Sequence, residues 1–146
     1  MSIMFSKNEI VHALSWNQPF ASLMLHGKVE TRRRPTNVRG WVLICAAATS
    51  YTFDQVDKIS GIEQCDRIDS LLQGDNIELG KAIAIGKLVD CRAMTVGDEK
   101  RCFVKYQQGL WCWYFEDVKE IEPFSWKGKQ GWSILTEDQK AMIKLI

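Results

Sequence analysis

Apolar and polar positions alternate along this chain with two different periods, and the changes between them mark the elements. Ile10 to Trp16 is rich in apolar and β-branched residues and predicts a first strand. Asn17 then serves as an N-cap for a helix over Gln18 to His26, with Gln18 and Pro19 in its first turn, where a missing amide hydrogen costs little. Phe20, Ala21, Leu23, Met24 and Leu25 make that helix apolar around most of its circumference, the pattern of core packing, and Gly27 is suited to end it. Lys28 to Arg34 predicts a second strand, with Lys28, Glu30, Arg32 and Arg34 on one face and Val29, Thr31 and Arg33 on the other. Pro35 stops it, TNVRG turns the chain, and Trp41 to Ala47 is a continuous apolar run suited to a strand buried on both sides.

Thr52 and Gln55 then form a T-x-x-Q capping box, and apolar residues at helical spacing continue to Leu72, which predicts one interrupted helix or two short ones over residues 52–74. GDNIELG forms the next turn. Lys81 to Cys91 is a strong strand, with Gly86 as a bulge or close-approach site. Arg92 to Gln108 is a mixed, polar excursion. Leu110 to Phe115 predicts a strand with Trp111 and Trp113 on one side and Cys112 and Tyr114 on the other; Val118 to Phe124 and Gly131 to Leu135 are two further strands around the basic turn SWKGKQG. Thr136 and Gln139 repeat the capping box and start a closing helix, with Ala141, Met142 and Leu145 toward the core.

About six strands with two or three helices, without strict β-α-β alternation, point to the α+β class: a small mixed β-barrel with helices packed on its ends or sides. At 146 residues, 46% of them hydrophobic, the chain is suited to one domain spanning residues 1–146. The net charge of +1 excludes a globally basic nucleic-acid coat, so any polyanion site must come from local clusters of the 19 Lys and Arg. Five widely spaced cysteines without a C-x-x-C pair, and only two histidines, argue against a conventional zinc site; reduced thiols fit a cytoplasmic protein. Neither a signal-peptide apolar region nor a membrane span is apparent.

The chain has no G-x-G-x-x-G, P-loop, G-x-S-x-G or H-E-x-x-H motif, so no cofactor or metal is implied. What remains are two basic clusters beside aromatics. Arg32, Arg33, Arg34 and Arg39 lie near Trp41, and Lys127 and Lys129 lie near Trp126 and Trp132. Cations interleaved with aromatics suit RNA, whose phosphates need neutralising and whose exposed bases stack. The ionic face of the second strand has two readings: a solvated strand whose charges pair along the sheet, or a site in which Glu30 fixes one guanidinium while the other Lys and Arg donors face a phosphate or carbonyl. Arg39, beside Gly40 at the mouth of a buried strand, is either a ligand contact or a solvated turn residue.

LSWNQPFASLMLHGKVETRRRP, followed in order by RGWVLICAA, AIAIGKLVDC and WYFEDVKEIEPFSWKGKQGWSIL, resembles an ASCH domain, a member of the PUA-like barrel group. The resemblance implies a β-barrel with a cleft lined by the Lys-Glu-Arg strand, and RNA or a modified nucleotide as ligand. It makes Trp16, Gln18, Arg32, Arg34, Arg39, Lys127, Lys129 and Gln130 the candidate nucleic-acid contacts. Members of the family include binders, ribonuclease-like proteins and hydrolases of N4-acetylcytidine, so the alternative function is a small hydrolase of RNA or of such nucleosides, with Lys28 and Glu30 as catalytic residues. Two departures argue against threonine-based amide hydrolysis: one residue is missing between Gly27 and Glu30, and Glu30 occupies the place of the threonine nucleophile, with Thr31 on the opposite face. A Glu30 held between Lys28 and Arg32 would also have a lowered pKa, which weakens it as a base.

Overall fold

The structure, a computed structural model, describes residues 3, 5–50, 61, 66, 68, 70 and 77–146. The strands are β1 (His12–Gln18), β2 (Glu30–Arg32), β3 (Gly40–Ser50), β4 (Lys81–Ala93), β5 (Trp111–Ser125) and β6 (Ser133–Ile134). Three short helices are described in full, α1 (Phe20–Leu23), α2 (Glu99–Cys102) and α3 (Glu137–Ala141). The helical pattern expected over residues 52–74 lies largely outside the described residues; of it, Ile68 is buried in the core.

The strands form one mixed sheet in the order β2-β5-β4-β3-β1-β6, in which β1 and β3 are parallel and the other pairs antiparallel. The sheet curls into a half-barrel of the α+β class, the small mixed barrel with flanking helices that the sequence pattern predicts. One contact demonstrates the curl. In a flat sheet β2 and β1 would stand four strand spacings apart, roughly 19 Å at about 4.8 Å each. Yet the Arg32 guanidinium on β2 donates a hydrogen bond to the Ser15 carbonyl on β1 at 3.3 Å. The first and fifth strands of the order are thus brought together across the concave face.

β3 is buried on both sides, as its unbroken apolar run predicts. Val42, Ile44 and Ala46 join one core cluster with Leu14, Trp16, Leu23, Met24 and Trp113, while Leu43 and Cys45 join another with Val11, Ala13, Ile85, Ile121 and Ile143. The predicted split of β5 also holds, with Trp111 and Trp113 packed in the first cluster and Cys112 and Tyr114 in a third.

Several boundaries differ from the sequence-based expectation. β1 runs through Gln18, and Asn17 lies inside the strand rather than capping a helix. Gln18 instead ties down the start of the helix. Its Oε1 accepts from the Ser22 amide at 3.0 Å, and its Nε2 donates to the Glu78 carbonyl at 3.0 Å. The helix after it is only one turn of α-helix followed by a 3-10 turn, Met24–His26, and Gly27 ends it at φ +84°. β2 is three residues long, not seven. The two strands expected over 110–115 and 118–124 are one strand, β5, bent at Asp117, whose φ is +51°. There Lys87 and Ile85 of β4 pair with Glu116 and Lys119, so one extra residue is accommodated on β5 as a bulge. Gly86 lies opposite this bulge, and a Cβ there would come 2.9 Å from Val118 Cγ2, the close approach its position predicts. The Thr136–Gln139 capping box forms as predicted. Ala141 and Met142 are exposed, however, because α3 stops at Ala141 and the altered phase turns Ile143 into the core instead.

Candidate functional site

Gly27 sets the site's geometry. Its left-handed backbone reverses the chain after the 3-10 turn, the Lys28 amide returns to the Leu23 carbonyl at 3.1 Å, and the Lys28 side chain is directed inward beside the Phe20 ring, 5.8 Å from its centroid. The Val29 amide then donates to the Arg101 carbonyl at the end of α2, at 2.9 Å. β2 follows immediately, with Glu30 opposite Trp113 and Arg32 opposite Trp111 on β5.

Period-two spacing puts Lys28, Glu30 and Arg32 together as expected, but not in solvent. The Lys28 and Glu30 side chains are 2% and 7% exposed, and Arg32 is 30% exposed. Glu30 Oε1 accepts from Lys28 Nζ at 3.0 Å and from the Thr31 amide at 3.1 Å. Glu30 Oε2 accepts from Arg32 Nε and Nη2, both at 2.8 Å. A carboxylate has about four acceptor sites, so this one is saturated. Burial raises the Glu30 carboxyl, but the Lys28 ammonium, the Arg32 guanidinium and their hydrogen bonds more than offset it and hold its pKa below the ordinary value.

The cations are left with donors to spare. Lys28 Nζ also donates to the Val29 carbonyl at 3.3 Å, and Arg32 Nη2 to that of Ser15. One Lys28 hydrogen and the whole Nη1 group of Arg32 therefore meet no acceptor among the described residues. Arg32 lies over the faces of Trp16 and Trp113, at 5.4 and 5.7 Å, which fixes its plane from two sides. With one carboxylate between two cations, the triad has a net charge of +1.

These side chains open onto a cleft of about 340 Å³, walled by Ser15, Trp16 and Asn17 of β1, Phe20 of α1, Lys28, β2 and Val104. The volume lies within the roughly 300–1,000 Å³ range of small-molecule sites. Thr31, expected on the opposite face, also borders it. Gln18 does not: it is fully buried and serves the β1–α1 junction. Arg34 is exposed outside the cleft and contributes its carbonyl to Trp113 Nε1 at 3.0 Å. Arg39 closes its own turn, donating to the Thr36 and Val38 carbonyls. Lys127, Lys129 and Gln130 are exposed on the loop before β6 and do not line the cleft. That loop nevertheless abuts it, since a Cβ on Gly128 would fall 2.8 Å from Ser15 Oγ. Pattern reasoning missed Phe20, which reads as core, and Val104, hidden in a polar excursion; no periodic signal brings either to β2.

Among the described residues no cluster of three or more His, Cys, Asp and Glu is placed to hold a metal, and no helix is long and apolar enough to cross a membrane. No protein-family model and no curated protein matches the chain. Solved structures do match. The ASCH protein of Zymomonas mobilis is 15% identical, with 90% of this chain and 92% of that one covered at a TM-score of 0.56. A point mutant of the same protein gives 16% identity, coverage of 90% and 94%, and a TM-score of 0.53. Identity this low speaks for the fold alone, and the fold this chain adopts is that of an ASCH domain.

Proposed function

We propose that the protein is a binding module for RNA or a modified nucleotide, which it holds in the Lys28–Glu30–Arg32 cleft. The observation that carries this reading is the saturated Glu30: its oxygens are taken by Lys28, Thr31 and Arg32, while Lys28 and Arg32, which both line the cleft, keep donors that the described residues do not use, in a net-positive triad. Such a site favours a phosphate or a carbonyl-rich base edge, because a planar guanidinium presents paired donors in fixed geometry. The wall residues Trp16 and Phe20 supply apolar surface for a base. The ASCH fold is consistent with this reading.

The same bonding speaks against the hydrolase alternative. A general base needs a free lone pair and a pKa near the working pH, whereas the Glu30 carboxylate has neither. Four described cysteines are free, which suits a reducing compartment and hence a cytoplasmic protein.

Binding of short single-stranded RNA, followed by fluorescence anisotropy over a salt series, tests the reading. Affinity is expected to fall with salt, with a slope of about −0.7 per phosphate neutralised. Arg32→Ala removes charge-assisted hydrogen bonds worth about 1.5–3 kcal/mol each, so it weakens binding about tenfold or more. RNA that does not bind, or binds wild type and Arg32→Ala alike, overturns the proposal.

A further inference from the structure

A second cleft, of about 310 Å³, adjoins the first and shares its Thr31, Arg32 and Val104 wall. Its far side is formed by Arg33, Lys105 and Gln107. Among the described residues three cations line it, Arg32, Arg33 and Lys105, and no carboxylate does. Arg33 Nη2 donates to Gln107 Oε1 at 3.3 Å, a neutral partner that orients the guanidinium without cancelling its charge. Lys105 is exposed and makes no ion pair with a described residue. Arg32 is compensated by Glu30, but Arg33 and Lys105 share the concavity without a carboxylate partner among the described residues; such like charges raise each other's energy, and an anion relieves that cost.

A nucleotide seated wholly in the first cleft, base and phosphate together, would leave this concavity empty. Arg32 stands on the shared wall, so a strand crossing it would bring its next phosphate against Arg33 and Lys105. We propose that the second cleft is a phosphate subsite, and that the ligand class is accordingly an oligonucleotide rather than a free nucleoside or mononucleotide. This rests on the nucleotide-binding reading above and adds a length requirement to it.

The four ribonucleoside 5′-monophosphates and the matching 5′-phosphorylated homodinucleotides, titrated calorimetrically into the intact protein, test the subsite. For the preferred base, the dinucleotide is expected to bind at least tenfold more tightly than the mononucleotide. The exposed pair Arg33→Ala/Lys105→Ala should erase that advantage, reduce the dinucleotide's salt slope, and leave mononucleotide affinity within twofold. A mononucleotide too weak to measure, beside a measurable dinucleotide that the double substitution abolishes, is the same result in stronger form. If the dinucleotide binds no tighter, or if the substitutions weaken both ligands equally, the subsite is wrong while nucleotide binding stands. If neither ligand binds, the nucleotide reading itself fails, and the subsite with it.

Discussion

Replacing Glu30 by Gln tests the triad as a physical object, independently of any ligand. The Lys28 side chain is 2% exposed, and the carboxylate that compensates it accepts from Lys28, Thr31 and Arg32. Glutamine has one oxygen in place of two and turns an amide donor toward cations that already donate. Breaking one side of a buried ion pair leaves an uncompensated charge and costs about 3–5 kcal/mol. That is a large share of the roughly 5–15 kcal/mol that stabilises a typical domain. At about 3 °C per kcal/mol for a chain of this size, the melting temperature should fall by about 10–15 °C.

The pH dependence carries a sign. Because the folded Glu30 carboxyl is held below its ordinary value, its contribution is complete above the usual carboxylate range and is lost as pH falls through the lowered value. Glutamine does not titrate, so the stability gap between wild type and Glu30→Gln should be widest near neutrality and narrow toward acid. Urea unfolding followed by tryptophan fluorescence at stepped pH measures it. Adding Lys28→Met to Glu30→Gln removes the stranded ammonium and should restore part of the loss. A Glu30→Gln protein as stable as wild type at pH 7, a gap that widens in acid, or a double variant less stable than Glu30→Gln alone would show that Glu30 does not compensate a buried Lys28 charge.

Three further outcomes follow from the fold. Gly86→Val places methyls where a Cβ alone already meets Val118 at 2.9 Å, and should cost about 1–3 kcal/mol in calorimetric or denaturant unfolding. Thr136→Ala removes the hydroxyl that caps α3 and should cost about 1 kcal/mol in the same assay. Burial raises the thiol pKa of Cys45, Cys102 and Cys112, so under native conditions at neutral pH these three should resist alkylation while half-buried Cys91 reacts, as peptide mass spectrometry would report; rapid labelling of Cys102 or Cys112 would contradict the packing.

The sequence revealed the triad's membership but not its burial. Spacing alone puts Lys28, Glu30 and Arg32 on one face, and an all-charged face ordinarily belongs to solvent. It is buried here because the sheet curls until Trp16, Phe20 and Trp113 close on it, and they lie on β1, α1 and β5, far apart in the chain. The apolar runs Val42–Ala46 of β3 and Ala82–Ile85 of β4 were legible because burial on both faces leaves no polar position there to mislead. β5 read as two strands because Glu116 and Asp117 interrupt it, although Asp tolerates the left-handed backbone that lets the strand bend and continue. The excursion after β4 hid Val104 and Lys105. Their position follows from a short 3-10 turn and α2, with a Thr95–Asp98 capping box, and nothing periodic announces so brief an element. Arg39, conspicuous beside a glycine, instead satisfies its own turn.

The proposed site requires Lys28 and Arg32 to present their spare donors to a bound anion or base. A crystal structure with a short RNA bound tests it most directly. Ligand oxygens are expected within hydrogen-bonding distance of Lys28 Nζ and Arg32 Nη1, with Glu30 still saturated by its protein partners. A ligand bound elsewhere, or one that displaces Arg32 to reach Glu30, would contradict it.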